Sequence, residues 1–286
     1  MKARSGGTLY LVGTPIGHRE DMSERARSVL AKVPVVACED TRTCRKLFAW
    51  LELPVPELLV YEDHSAERAT PRVLERLEEG EDVALVSEAG MPAIQDPGYR
   101  LVSEARRRGF AVVPVPGPSA LLLALAASGL PTDRFAYLGF APRRGREVWW
   151  GESLGRSETI VVYESPRRVA ATLAAIAAVD PRRPVVLARE LTKIHEEFVD
   201  GTAEEVRAEI ESREEPLRGE CVVVIRGNEA PRVSAVPWPD ALDRLRSLEV
   251  GRSLSRRDLV EVLSTLYPGE RNAIYAAAHA AREARS

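Results

Sequence analysis

Apolar positions in the first 115 residues fall into five short runs separated by longer amphipathic stretches. The runs, at 8–13, 34–38, 58–61, 83–87 and 111–115, are continuous blocks rich in Val and Leu. Strands buried on both faces carry this signature, because neither face keeps a polar side chain. Between them the apolar residues recur at helical spacing: at 23–32, with Ser23 placed as a cap, at 41–51, at 66–79 with Pro71 near the start, and at 98–108. Strict alternation of strand and helix predicts a parallel sheet whose right-handed crossovers put all carboxyl-terminal strand ends on one edge. A second alternation begins near residue 131, with strands expected at 135–139, 159–163, 184–188, 197–199 and 221–226 and helices at 146–153, 167–178 and 203–212. A proline-rich stretch at 231–239 reads as a linker, and 240–286 as two or three short helices. The expected division is an N-terminal α/β domain over 1–122, a second α/β domain over 123–230, and a linker with a helical segment over 231–286.

Residues that break these patterns gather at the strand ends. The first strand leads into Gly13-Thr14-Pro15-Ile16-Gly17, the second into Glu39-Asp40-Thr41-Arg42 and the third into Glu62-Asp63-His64. The fourth leads into Ser87-Glu88-Ala89-Gly90-Met91-Pro92, then Asp96-Pro97-Gly98, and the fifth into Pro116-Gly117-Pro118-Ser119-Ala120. One such loop is ordinary turn punctuation. Five in succession mark the edge where open α/β sheets bind ligands. The first loop is neither a GxGxxG fingerprint nor a phosphate loop ending in GK[ST], which argues against a phosphate-rich cofactor. Pro15 and Ile16 make a stiff, partly apolar lip, while the small residues at 87–90 and 117–120 permit close backbone approach. Such walls suit a ligand with an adenine face, a ribose and an apolar tail.

Glu39, Asp40, Glu62, Asp63, Glu88 and Asp96 recur along this rim. They suit the acid–base pair of a hydrolase, a site for a cation or a ribose, or pairing with cations such as Arg42; Asp40 and Asp96 are also placed to cap helices. In the second half, Tyr163-Glu164-Ser165-Pro166 and Arg189-Glu190-Leu191-Thr192-Lys193 follow strand ends and would face the first sheet if the two sheets met edge to edge. Taken alone, Arg189 and Glu190 read as a structural ion pair.

A net charge of −3 over 286 residues excludes a globally basic nucleic-acid binder but leaves room for a local basic stripe. Pro142-Arg143-Arg144-Gly145-Arg146 is one such stripe, followed by Trp149 and Trp150, which are equally placed to stack on bases or to pack in a core. Arg252, Arg256 and Arg257 form another. Cys38, Cys44 and Cys221 show no paired spacing and read as buried thiols; the four histidines are scattered, so no metal is expected. No Gly-x-Ser-x-Gly elbow appears, so covalent catalysis is not expected. No apolar run approaches the roughly 20 residues of a membrane helix, and the short polar N-terminus is no signal peptide, so the expected location is the cytoplasm.

Seven blocks then carry a resemblance in order and spacing: GTLYLVGTPIGHREDMSERA at 7–26, CEDTR at 38–42, ALVSEAGMPAIQDPGYRLV at 84–102, VVPVPGPSALLLALAASGLPTDRF at 112–135, YESPRR at 163–168, ARELTK at 188–193 and GECVVVI at 219–225. Together they closely resemble the bacterial ribosomal small subunit methyltransferase I family of the tetrapyrrole methylase superfamily. Arg271-Asn272-Ala273-Ile274-Tyr275 resembles that family's C-terminal helical segment. The resemblance implies two α/β domains with S-adenosylmethionine in the cleft between them, usually in a homodimer. It implies methylation of a cytidine ribose 2′-hydroxyl in the decoding region of 16S rRNA, with the small ribosomal subunit or its RNA as partner. It carries cofactor contacts onto Pro15, Ile16, Ser87, Glu88, Ala89, Gly90, Ser119 and Ala120, with Tyr163 and Glu164 as further contributors. His18, Glu88 and Met91 stand where the family usually has Asn, Asp and Thr. Within this frame Glu39 or Asp40 is expected to accept the proton or orient the hydroxyl. Arg42, Arg189 and Lys193 would bind flanking phosphates or steady the developing alkoxide, and Arg143, Arg144 and Arg146 would grip RNA. The competing readings are a superfamily methyltransferase acting on a tetrapyrrole or a modified histidine, and a sensor that binds the cofactor without transferring its methyl group.

Overall fold

In the computed structural model, which describes residues 6–228, 238–247, 255–267 and 270–280, the first five apolar runs form one parallel sheet. Its strands are β1 (Thr8–Val12), β2 (Val35–Cys38), β3 (Glu57–Val60), β4 (Val83–Val86) and β5 (Ala111–Val115), in the order β3-β2-β4-β1-β5. The crossovers carry α1 (Glu24–Leu30), α2 (Thr41–Leu51), α3 (Ala66–Glu78) and α4 (Tyr99–Arg108). Every residue of β2 and β4 is buried. Successive side chains serve opposite faces: Val35 and Ala37 pack with Leu9, Val73 and Leu77, whereas Val36 and Cys38 pack with Leu30, Phe48 and Leu51. This two-sided burial is why the strands read as unbroken apolar blocks.

Local chemistry fixes the helix starts on the strand-end edge. Ser23 Oγ accepts from the Ala26 amide at 3.1 Å and donates to the Pro116 carbonyl, tying α1 to the loop after β5. Asp40 caps α2 by accepting from the Arg42 amide at 2.7 Å. Asp96, expected as a cap, is not one: Gly98 occupies that position before α4, at φ 146°, and packs against Leu85 and Ala93 where a Cβ would collide.

The second sheet holds β6 (Phe135–Phe140), β7 (Thr159–Glu164), β8 (Pro184–Arg189), β9 (Glu197–Thr202) and β10 (Cys221–Ile225), in the order β6-β7-β10-β8-β9. Only β6 and β7 are parallel; β10 lies antiparallel between β7 and β8, and β9 closes the far edge. Helices α5 (Ala120–Ala127), α6 (Arg146–Ser153), α7 (Pro166–Val179) and α8 (Ala203–Glu211) accompany it. No periodicity marks α5, because ALLLALAA is apolar on every face and has no polar stripe to betray a helix. Trp150 is fully buried in the core of this half, and Trp149 meets it edge to face at 4.7 Å, which settles Trp150 as a packing residue.

The chain divides into two compact units, 1–228 with both sheets and 229–286. In the latter, α9 (Trp238–Ser247), α10 (Arg256–Leu266) and α11 (Arg271–Ala280) surround Leu242, Val260, Leu263, Ile274 and Ala278. A capping box between Ser255 and Asp258 starts α10. Arg252 and most of the proline-rich stretch lie outside the described residues, and Trp238 and Pro239 at its end already belong to α9. No described helix is long and apolar enough to cross a membrane.

Candidate active site

Two adjoining cavities open at the strand ends, and glycines decide where their walls run. Gly13 and Gly117, at the ends of β1 and β5, lie back to back; a Cβ on Gly117 would sit 2.7 Å from the Gly13 Cα. Thr14 and Gly90 exchange backbone hydrogen bonds at 2.9 and 3.0 Å, joining the loop after β1 to the loop after β4. Gly90 adopts φ 80°, a left-handed conformation that favours glycine. Beyond it Ala93 and Gln95 also have positive φ, so backbone strain is stored beside the cavity, as it commonly is at functional sites.

The larger cavity, about 440 Å³, lies between the two sheets. The first half contributes Ile16, the loop from Glu88 to Asp96, and Ser119 and Ala120 at the start of α5. The second half contributes Phe140, Tyr163, Glu164 and the segment from Gly219 to Val222. Tyr163 Oη accepts from the Leu121 amide at 3.2 Å, and its ring packs edge-on against Tyr137 and Phe140. Two further contacts lace the halves together. The His18 amide donates to Thr192 Oγ1 at 3.0 Å, and Gln95 packs on Gly139 so closely that a Cβ there would collide.

Glu164 and Arg146 belong to the framework of this cleft. The Glu164 carboxylate is buried and accepts from Thr172 Oγ1 at 2.6 Å, the Ser165 amide at 2.9 Å and Arg146 Nη2 at 3.0 Å, with Arg168 Nε 3.3 Å away. Its oxygens are therefore engaged within the protein. Arg146 also donates to Thr172. It is a half-buried structural cation and not a free member of the basic loop, so only Arg143 and Arg144 remain exposed there. The ion pairing of the 188–193 segment likewise differs from expectation. Arg189 faces Glu197 across the β8–β9 register and pairs with it at 2.8 Å, while Glu190 pairs with Lys193 at 2.8 Å. Lys193 also reaches Glu220 at 3.0 Å, and Glu190 and Thr192 hold positive φ. Neither Arg189 nor Lys193 lines the two cavities.

The smaller cavity, about 130 Å³, lies beneath the ends of β1, β2 and β4, between Pro15, Glu39, Ser87 and the inner face of α2. Glu88 lines both cavities, and the lip residues divide, Pro15 to the smaller and Ile16 to the larger. Burial pushes Glu39 up to about 7, reinforced by the negative charges of Asp96, Glu88, Asp63 and Glu62. Burial also lifts Asp96 to about 6, with Glu88 and Asp63 adding to it. Asp40 goes the other way: hydrogen bonds from the Arg42 guanidinium and amide hold it down to about 2. Cys38 and Cys44 wall the same cavity; their mutual hydrogen bond and burial push the Cys38 thiol well above its usual range, away from nucleophile chemistry.

Arg19 and Trp50 complete this cavity, and the sequence reading did not single them out. The Arg19 guanidinium lies over the Trp50 ring, 5.6 Å from its centroid. They come from the loop after β1 and the last turn of α2, and no local periodicity joins positions so far apart.

The profile of the Tetrapyrrole (Corrin/Porphyrin) Methylases matches residues 8–207. The chain is 41% identical over 245 residues to Ribosomal RNA small subunit methyltransferase I of Halalkalibacterium halodurans, covering 85% of this chain and 84% of that protein. It is 38% identical over 274 residues to the protein of the same name from Escherichia coli O157:H7, covering 95% and 94%. Among solved structures, uroporphyrin-III C-methyl transferase from Thermus thermophilus complexed with S-adenyl homocysteine superposes with a TM-score of 0.53 at 26% identity, over 77% of this chain and 97% of that one. Diphthine synthase shares the fold with a TM-score of 0.60 at 14% identity, over 77% and 90%. With most of its length matched at this level, the chain belongs to the ribosomal RNA small subunit methyltransferase I family of the tetrapyrrole methylases.

Proposed function

We propose that the larger cavity binds S-adenosylmethionine and that the protein methylates a cytidine ribose 2′-hydroxyl in the decoding region of 16S rRNA, acting in the cytoplasm as a homodimer. The names of its relatives support the RNA acceptor, and the homologous structure with S-adenyl homocysteine supports the cofactor. The residues present fit that group. The cavity's 440 Å³ falls within the usual range for such ligands, about 300–1,000 Å³. Gly90, Ala89, Ser119 and Ala120 allow close approach, and Ser119 makes no side-chain cap on α5, whose Leu121 amide goes to Tyr163 Oη. Glu88, Asp96 and Glu220 on the walls suit a sulfonium cation. Ile16, Glu88, Ala89, Gly90, Ser119, Ala120 and Tyr163 would hold the cofactor, with Glu164 setting the wall behind it and Pro15 and Ser87 shaping the septum. When bound, S-adenosylmethionine supplies an electrophilic methyl group.

The observation that carries the mechanism is the divergence of Glu39 and Asp40. A ribose hydroxyl is a weak acid, and a carboxylate with a pKa near neutrality is suited to take its proton. Glu39 meets that need at the edge of the shared wall. Asp40, already ionised and committed to the α2 cap, instead fixes the start of that helix and orients Arg42, whose side chain is 86% exposed and available to an RNA phosphate. Arg189 and Lys193 act through their ion pairs, positioning the 188–193 segment. Arg143 and Arg144 grip RNA beyond the cleft. In this reading 1–122 and 123–230 are two domains that close on the cofactor, with 231–286 appended. Leu122 and Leu123 are exposed on α5 and offer an apolar face to a second copy, which sedimentation of the intact protein tests.

The deciding experiment is transfer of labelled methyl from S-adenosylmethionine to unmodified small ribosomal subunits, with naked 16S rRNA alongside, followed by mapping of the label. Label on a cytidine ribose, with a rate that rises through an apparent pKa near 7 and loses that limb in Glu39→Gln, establishes the reading. Cofactor binding without label on either RNA overturns it in favour of a sensor or another acceptor.

A further inference from the structure

The cofactor and the proton acceptor account for the larger cavity and for the shared wall. They leave unused the interior of the smaller cavity and the Arg19–Trp50 pair at its side. Three features of this place bear on what enters it. Its volume, about 130 Å³, is close to that of an apolar protein cavity that holds benzene, about 150 Å³. A six-membered ring therefore fits, and a two-ring purine does not. Its position is fixed by Glu88, which lines both cavities, so a nucleoside whose base enters the smaller one brings its ribose to the wall shared with the cofactor. Its charge matters as well: Arg19 lines the cavity over the indole of Trp50 and forms no salt bridge among the described residues, so its guanidinium donors are not committed to a carboxylate.

We propose that the smaller cavity receives the unstacked base of the acceptor nucleotide, that it admits a pyrimidine, and that Arg19, held on Trp50, selects cytosine over uracil. The assignment rests on the reading of the larger cavity and its ribose acceptor given above. Enzymes that act on a base take it out of the stack and read its Watson–Crick edge in such a pocket, and the base of a ribose acceptor is open to the same reading. Cytosine presents two adjacent acceptors, N3 and O2, and a guanidinium presents paired N–H donors in a fixed fork. Uracil places an N–H at position 3, which faces that fork donor to donor. Trp50 is a positioning residue: its ring supports the Arg19 guanidinium from one side.

The test compares methyl transfer to small subunits carrying cytidine or uridine at the acceptor position. Wild-type protein favours cytidine by about tenfold or more, the discrimination expected of a good bidentate contact. Arg19→Ala slows transfer to cytidine and brings the two rates within about twofold, while Trp50→Ala lowers the preference and Trp50→Phe keeps most of it. Calorimetric binding of S-adenosylhomocysteine stays at the wild-type value in all three variants, separating loss of base reading from loss of fold. An undiminished cytidine preference in Arg19→Ala overturns the assignment. If wild-type protein labels neither subunit, the acceptor reading itself falls, and tryptophan fluorescence still decides the cavity. Quenching by cytidine monophosphate that exceeds quenching by uridine monophosphate and disappears in Trp50→Phe upholds a cytosine seat; equal quenching in wild-type and Trp50→Phe overturns it.

Discussion

Glu39 and Asp40 adjoin in the chain and titrate in opposite directions. Both acids are visible in the sequence at a strand end, but their division of labour is not. Asp40 starts α2 and meets its amides and Arg42, whereas Glu39 turns toward a cavity it shares with Glu88 and feels the acids of the two loops that follow β3 and β4. The arrangement has a measurable cost. A carboxyl raised above its unfolded value favours the folded state only while protonated, so its contribution is complete below about 4.5 and is lost as pH rises through about 7. Glu39→Gln is therefore expected to melt a few degrees above wild type at pH 7, with the difference vanishing near pH 4.5 in calorimetric scans. A Glu39→Gln protein no more stable than wild type at pH 7 would show that the site carries no such strain. The same substitution that removes the proposed proton acceptor is thus expected to stabilise the fold, the usual trade between activity and stability.

At the scale of elements, alternation and periodicity revealed the parallel sheet and its helices to within a residue or two at most ends, because each of those helices has one apolar face and each strand two. What stayed hidden has a physical reason in each case. α5 has no polar face, and β9 continues through Asp200 and Gly201, which look like a turn. The direction of β10 is unreadable because a fully buried strand looks alike from either end. The basic stripe before α6 misled for a related reason, since charge patterning cannot distinguish an exposed arginine from one anchored on a buried carboxylate. Arg146→Ala leaves Arg168 as the cation beside the buried Glu164 and is expected to cost about 1–3 kcal/mol, read by denaturant unfolding. Arg143→Ala and Arg144→Ala should leave stability nearly unchanged while each lowers the salt dependence of RNA binding by about one unit of slope. Comparable destabilisation by all three changes would contradict a structural role confined to Arg146.

For the whole molecule, the cleft is a property of unit 1–228, and ligand linkage should report it separately from the helical unit. S-adenosylhomocysteine at about 100 times its dissociation constant stabilises whatever binds it by about 2.7 kcal/mol. A calorimetric transition assigned to 1–228 should rise accordingly, while one assigned to 229–286 stays in place; an equal rise of both would tie the helices to the cofactor. The strand order also imposes a timetable on birth at the ribosome. The first sheet has all its strands by residue 115, but β6–β7 and β8–β9 share no hydrogen-bonded edge until β10, the last strand, slides between them. The residues just ahead of and within β10, from Gly219 to Val222, finish the wall of the larger cavity. A nascent chain halted before them has a folded amino-terminal half and no closed pocket. On the proposed reading, methyl-donor capture therefore waits for the last strand of the second sheet, while the helical unit 229–286 is still to be made.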